Sequence, residues 1–151
     1  MSDLAHERAR VLLETLRERG IRPLTSDPQE QVRDASHEAA HALMWGVETP
    51  WSRQRIHEKA PAMPRALADE IRVRAVERLV CERIGLPMSR YDQTSAAFSC
   101  ALESSRMGAC PDFNELLRAI DTQVDDLQTY AIVEKILLML PDELRPDLRP
   151  R

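Results

Sequence analysis

The chain has 151 residues, 43% of them hydrophobic and 30% charged, which suits one soluble globular domain built on one sizeable core. A formal net charge of -4 argues against nucleic acid or an anionic membrane as the main partner, and no apolar run approaches the roughly 18–20 residues that span a bilayer. The opening MSDLAHERAR is charged where a secretory signal would be apolar, so the expected location is cytoplasmic.

Three cysteines, Cys81, Cys100 and Cys110, form no CxxC pair. Neither a disulfide framework nor a cysteine zinc site is expected, and reduced, buried thiols are. Only 4% of residues are aromatic and β-branched runs are scarce. The expected fold is all-α, mostly helical, with about five to six helices and at most a small β element.

Taken in chain order, the first helix spans Leu4 to Arg19, with Ser2 as cap, Gly20 as stop, and Leu4, Val11, Leu12 and Leu16 near helical spacing. IRPLTSDP is a connector. A second helix opens with Asp27 as cap, Pro28 in the first turn and Glu30 completing a D-x-x-E capping box. It runs to Trp45, and Gly46 ends it. Trp45 and Trp51 flank its exit; packing is the ordinary role of such residues, and lining a cleft is the functional one.

Residues 47–64 hold three prolines and no clear period, so this is an irregular excursion with room for a short helix or an extended piece, and a weak strand candidate from Arg53 to His57. A third helix follows from Arg65 to Ile84, with Ile71, Val76, Leu79, Val80 and Ile84 inward, ended by Gly85 and Pro87. Next come Arg90 to Met107, where Ala96, Ala97, Ser99, Cys100 and Ala101 permit close contact. A last stretch from Phe113 to Leu140 is capped by Asp112 with Glu115, with a bend near Asp125. The whole is read as one domain: residues 1–25 are an N-terminal helix and connector, about 30–145 the functional module, and 141–151 a tail expected to fray.

One motif stands out. His37-Glu38-Ala39-Ala40-His41 is HExxH. On a helix, residues four apart share a face, so His37 and His41 can present two imidazoles to one zinc ion. A catalytic zinc takes three protein ligands and leaves a position for a water whose pKa falls toward about 7. Glu38, offset around the helix, is placed to serve as general base without being a ligand. Small apolar neighbours, Ala35, Ala39, Ala40, Ala42 and Leu43, fit a helix buried beside a closed site. The alternative is a pair of partly buried histidines bonded locally. The pairs His6-Glu7 and His57-Glu58 lack a second histidine and read as solvated surface pairs. Sequence position alone leaves Glu70, Glu77, Glu82, Asp92 and Glu103 as candidates for the third ligand.

The stretch VRDASHEAAHALMWG resembles the zinc helix of the FtsH-type AAA protease peptidase domain, usually written HEAGHA. RAVERLVCERIG is similar to that family's segment around A-A-E-x-L-V-F-G. SRYDQTSAAFSCALESSRM is similar to the helix that the family opens with an aspartate, and DTQVDDLQTYAIVEKILLMLPDEL to its last helical part. The resemblance covers roughly residues 30–145. It implies a helical zinc peptidase domain with His37, His41 and Asp92 as ligands and Glu38 as catalytic base. The sequence departs from the family in having no P-loop, ATPase module or membrane span. Ala40 replaces the usual glycine, Tyr91 and Gln93 flank Asp92, and the region after the zinc helix is short. ADEIRVRAVERLVCERIGLP also loosely resembles metallopeptidases of the ImmA/IrrE type, which would make Glu70 or Glu77 the ligand.

The expected function is a small zinc-dependent metallopeptidase that hydrolyses peptide bonds, with Zn2+ as cofactor and a peptide or unfolded protein as substrate. No nucleic acid or membrane is expected as partner; a homo-oligomer or a partner protein is compatible with the sequence. The alternative is a non-enzymatic helical interaction module derived from a metallopeptidase fold. A nucleic-acid-binding helical domain, with Arg53, Arg55 and Lys59 as its patch, fits poorly with the acidic balance.

Overall fold

The computed structural model describes residues 2–86, 88, 90–106 and 112–149, without the side chains of Arg90, Tyr91, Glu103 and Ser104. Among these residues there are seven α-helices, one 3-10 turn and no strand. The helices are α1 (Asp3–Glu18), α2 (Pro28–Met44), α3 (Arg53–Glu58), α4 (Arg65–Ile84), α5 (Arg90–Arg106), α6 (Phe113–Gln123) and α7 (Leu127–Leu137), followed by the turn Asp142–Leu144.

Their ends follow from local chemistry. The Ser2 side chain accepts from the backbone N–H of Ala5 and starts α1. Asp112 accepts from Glu115 N and Asp126 from Gln128 N and Thr129 N, starting α6 and α7. The expected bend therefore falls at residues 124–126, where a new capping aspartate restarts the helix. The box at α2 differs from expectation. Asp27 makes no side-chain cap bond; Glu30 instead accepts from the Thr25 hydroxyl at 3.0 Å, and the same hydroxyl oxygen accepts from Asp27 N, the donor a capping box would have given to Glu30. Of the two readings of the excursion, the short helix holds and the strand candidate at residues 53–57 does not: the segment is helix α3, started by the Ser52 hydroxyl accepting from Arg55 N.

Helix α4 lies at the centre, touching α1, α2, α5, α6 and α7. It is buried on most of its surface through Val73, Ala75, Val76, Leu79, Val80 and Ile84. Helix α2 lies against it and also meets α1, α3 and α7, its Ala35, Ala39, Ala40 and Ala42 letting neighbouring backbones approach. The inner stripe of α1 is Ala5, Ala9, Leu12, Leu13 and Leu16, while Leu4, expected inside, is 47% exposed. Leu4 sits beside the stripe set by Ala5, Ala9, Leu12 and Leu16, which repeats at helical spacing. Gly85 ends α4 at φ +100°, and a Cβ there would lie 2.9 Å from Ala5 Cβ, so it is needed both for the turn and for the α1 contact.

Among the described residues, the tail makes contacts with the helices. Arg8 Nε donates to Leu144 O, Arg83 donates to the carbonyls of Asp147 and Arg149, and Leu148 packs on the core. Cys81 and Cys100 are buried and reduced, and burial pushes the Cys81 thiol up to about 12. Cys110, Pro87 and Met107 lie outside the described residues. No helix among the described residues is long and apolar enough to cross a membrane.

Candidate metal centre

The HExxH segment occupies the C-terminal half of α2, facing α4. His37 is partly buried and His41 is buried. Opposite them, Glu70, Arg74 and Glu77 recur at i, i+4 and i+7 on α4, one stripe of a helix whose other buried residues, Asp69 apart, are apolar. Glu70 Oε2 meets His41 Nε2 at 2.9 Å and His37 Nε2 at 3.6 Å. The ligand atoms of His37, His41 and Glu70 all lie within 4.8 Å of one another. Ligands at zinc's usual 2.0–2.1 Å stand about 3.3 Å apart in a tetrahedron, so these separations fit one ion with small side-chain adjustments.

A second layer surrounds the group. His37 Nδ1 lies 3.5 Å from Glu77 Oε1. Arg74 bridges Glu70 at 3.0 Å and Glu77 at 3.3 Å. Trp45 stacks on His41 and its Nε1 donates to Asp69 Oδ2 at 2.9 Å. On the other side of α2, Arg53 of α3 donates to Glu38 Oε1 at 2.6 Å and to Asp34 Oδ2 at 2.7 Å. The other oxygen of Glu38, Oε2, is buried with no hydrogen-bond partner, as is His41 Nδ1. A cleft of about 630 Å3 opens here, lined by His37, Glu38, His41, Trp45, Arg53 and Glu70 among others.

The charges are strongly coupled. Burial works to raise Glu70, but the two histidines and Arg74 outweigh it and hold its carboxyl well below the usual range. Burial likewise opposes ionisation of Glu77, and Arg74 with His37 overcomes it, so Glu77 is also lowered. His37 moves up, since Glu70 and Glu77 outweigh the burial that would lower it. His41 moves down, because burial and repulsion from His37 exceed the pull of Glu70. One carboxylate thus serves two imidazoles that differ in proton affinity.

The sequence candidates separate clearly in space. Glu70 joins the histidine pair and Glu77 backs it. Asp92, the ligand implied by the FtsH-type resemblance, lies in the first turn of α5 and pairs with Arg33 at 3.3 Å; it is not a member of the His37–His41–Glu70 group. Its place there has a physical reason, since Arg33 sits one turn before His37 on α2 and meets the opening of α5. Glu82 is exposed, and the Glu103 side chain lies outside the described residues. Sequence reasoning did not anticipate Arg53, Arg74 or Asp69. Their signal was present only for Arg74, a charge on the inward stripe between two inward glutamates. Trp51 is core, 5% exposed with its Nε1 bonded to Val47 O, whereas Trp45 lines the cleft. His57, read as a surface residue, is exposed at the rim of that cleft. Comparison with known protein families, curated proteins and solved structures finds no match for this chain.

Proposed function

We propose that the chain is a zinc-dependent metallohydrolase acting on amide bonds of peptides, with His37, His41 and Glu70 as metal ligands and Glu38 as general base. The observation that carries this reading is the convergence of two helix-borne imidazoles and one buried carboxylate on a single point at the floor of an open cleft. The donor set, two neutral nitrogens and one carboxylate, is that of hydrolytic zinc sites. Orphaned buried Glu38 Oε2 fits a site designed to meet a further polar group.

Zinc, when bound, acidifies a water and polarises a carbonyl oxygen. The chain's own residues do the rest. Glu38 takes the water's proton at Oε2, the oxygen that Arg53 leaves free, and later returns it to the leaving amine. Arg53 holds the other oxygen and fixes the carboxylate's direction. Glu77 accepts from His37 Nδ1 and keeps Nε2 turned toward the metal position. Without an edge strand among the described residues, a peptide would be aligned by cleft side chains.

The Arg53–Glu38 bond is also the observation that favours the competing reading, a helical interaction module in which the motif is structural. The two are separated by metal analysis and cleavage of a peptide library by purified full-length chain. Stoichiometric zinc with hydrolysis lost in Glu38→Gln supports the enzyme. Absence of bound zinc after metal loading sinks it.

A further inference from the structure

The two histidines are held by different devices. His37 shows one nitrogen to Glu70 and the other to Glu77, and a carboxylate on the far nitrogen is the usual way that a metal-binding imidazole has its tautomer and ring direction fixed. His41 lacks that partner: its Nε2 meets Glu70, and its Nδ1 is buried with no hydrogen bond. The ring would be free to turn about its bond to Cβ, sweeping Nε2 off the metal position, unless something else holds it.

The His37 ring meets it only edge-on, with centroids 4.8 Å apart; what lies flat against it is Trp45, four residues later on the same face of α2. The ring centroids are 4.1 Å apart and the planes 26° from parallel. The indole is itself tied down, since Nε1 donates to Oδ2 of Asp69 at 2.9 Å and Asp69 is buried. Asp69 and Glu70 are consecutive on α4, so one short piece of that helix holds the indole and meets the imidazole. Trp45 is partly exposed in the cleft wall, where a tryptophan serving the core alone, such as Trp51, would be covered.

The geometry points to Trp45 as a positioning residue for His41, its stacked face doing for this ligand what Glu77 does for His37 by hydrogen bonding. This rests on the metal reading above. Loss of the flat face leaves His41 able to bind only after ordering its own ring, so metal affinity falls while the ligand set is intact.

The test measures zinc affinity of the full chain by competition with a chromogenic chelator, together with the visible spectrum of the Co2+-loaded protein. Trp45→Leu, which keeps apolar bulk, and Trp45→Ala should each bind zinc about 10–100-fold more weakly, with altered cobalt bands. Trp45→Phe keeps an aromatic face and should stay within about threefold of wild type, with its cobalt spectrum restored. Circular dichroism of the metal-free proteins selects the folded variants. A folded Trp45→Leu with wild-type affinity and spectrum overturns the proposal and leaves the metal centre standing. So does Trp45→Phe falling as far as Trp45→Leu, because the ring face is then not what matters. A wild-type chain that takes up neither zinc nor cobalt overturns the metal reading, and this inference with it.

Discussion

Glu38 keeps one oxygen on Arg53 and one with no partner, and its neighbours His37 and His41 share one carboxylate on α4. Three outcomes follow at this scale. Glu38→Gln should retain stoichiometric zinc while hydrolysis falls by about 10²–10⁴-fold, the range that general-base catalysis supplies; metal analysis beside peptide cleavage reads both. Glu70→Ala should lose stoichiometric zinc, whereas Asp92→Ala, which removes a partner of Arg33, should keep it; chelator competition compares the two. A proton also competes with the metal. His37 is raised above its ordinary 6.5 by Glu70 and Glu77 after burial is overcome, and the ligand must be neutral. Apparent zinc affinity should therefore decline as pH falls from 7 toward 5, and zinc titrations across that range would show it.

At the scale of elements, the site depends on α2 and α4 lying at one fixed register. Val73, Val76, Leu79 and Val80 are fully covered, so Leu79→Ala leaves a cavity under the helix that carries Glu70. A loss of about 2–5 kcal/mol is expected, measured by urea unfolding. The terminator of α4 is equally constrained. Gly85→Ala would place a Cβ against Ala5 in a left-handed turn, and about 1–3 kcal/mol should be lost in the same assay.

For the whole molecule, the buried network makes stability depend on pH. The folded-state values of Glu70 and Glu77 are lowered from the ordinary 4.5, against the burial that would raise them, chiefly by the histidines and Arg74. Groups lowered on folding contribute stability above their unfolded value, and that contribution is lost as pH falls below it. The metal-free protein should thus destabilise as pH drops below about 4.5. Thermal midpoints by circular dichroism should fall less steeply over that range in Glu70→Gln. On the proposed metal reading, zinc at 100-fold excess over its Kd should add about 2.7 kcal/mol.

The helices were largely legible in the chain because their signals are local. Ser2, Asp112 and Asp126 cap, Gly85 stops, and HExxH puts two imidazoles and a carboxylate at fixed offsets on one helix. Residues 53–57 left a short helix and an extended piece both open, because six residues with a Ser cap carry too little period to choose between them. Which carboxylate meets the two histidines was beyond any local signal. Glu70, Glu77 and Asp92 are all acidic residues on later helices, and their distance along the chain says nothing about which one faces α2. Packing answers it: the apolar surface of α4 is buried against α2, and in that arrangement Glu70 meets the histidines while Asp92 meets Arg33. The residue types and their spacing on α2 set His37, Glu38, His41 and the stacked Trp45 on one helix end; the packing of α4 on α2 brings Glu70 to the two imidazoles.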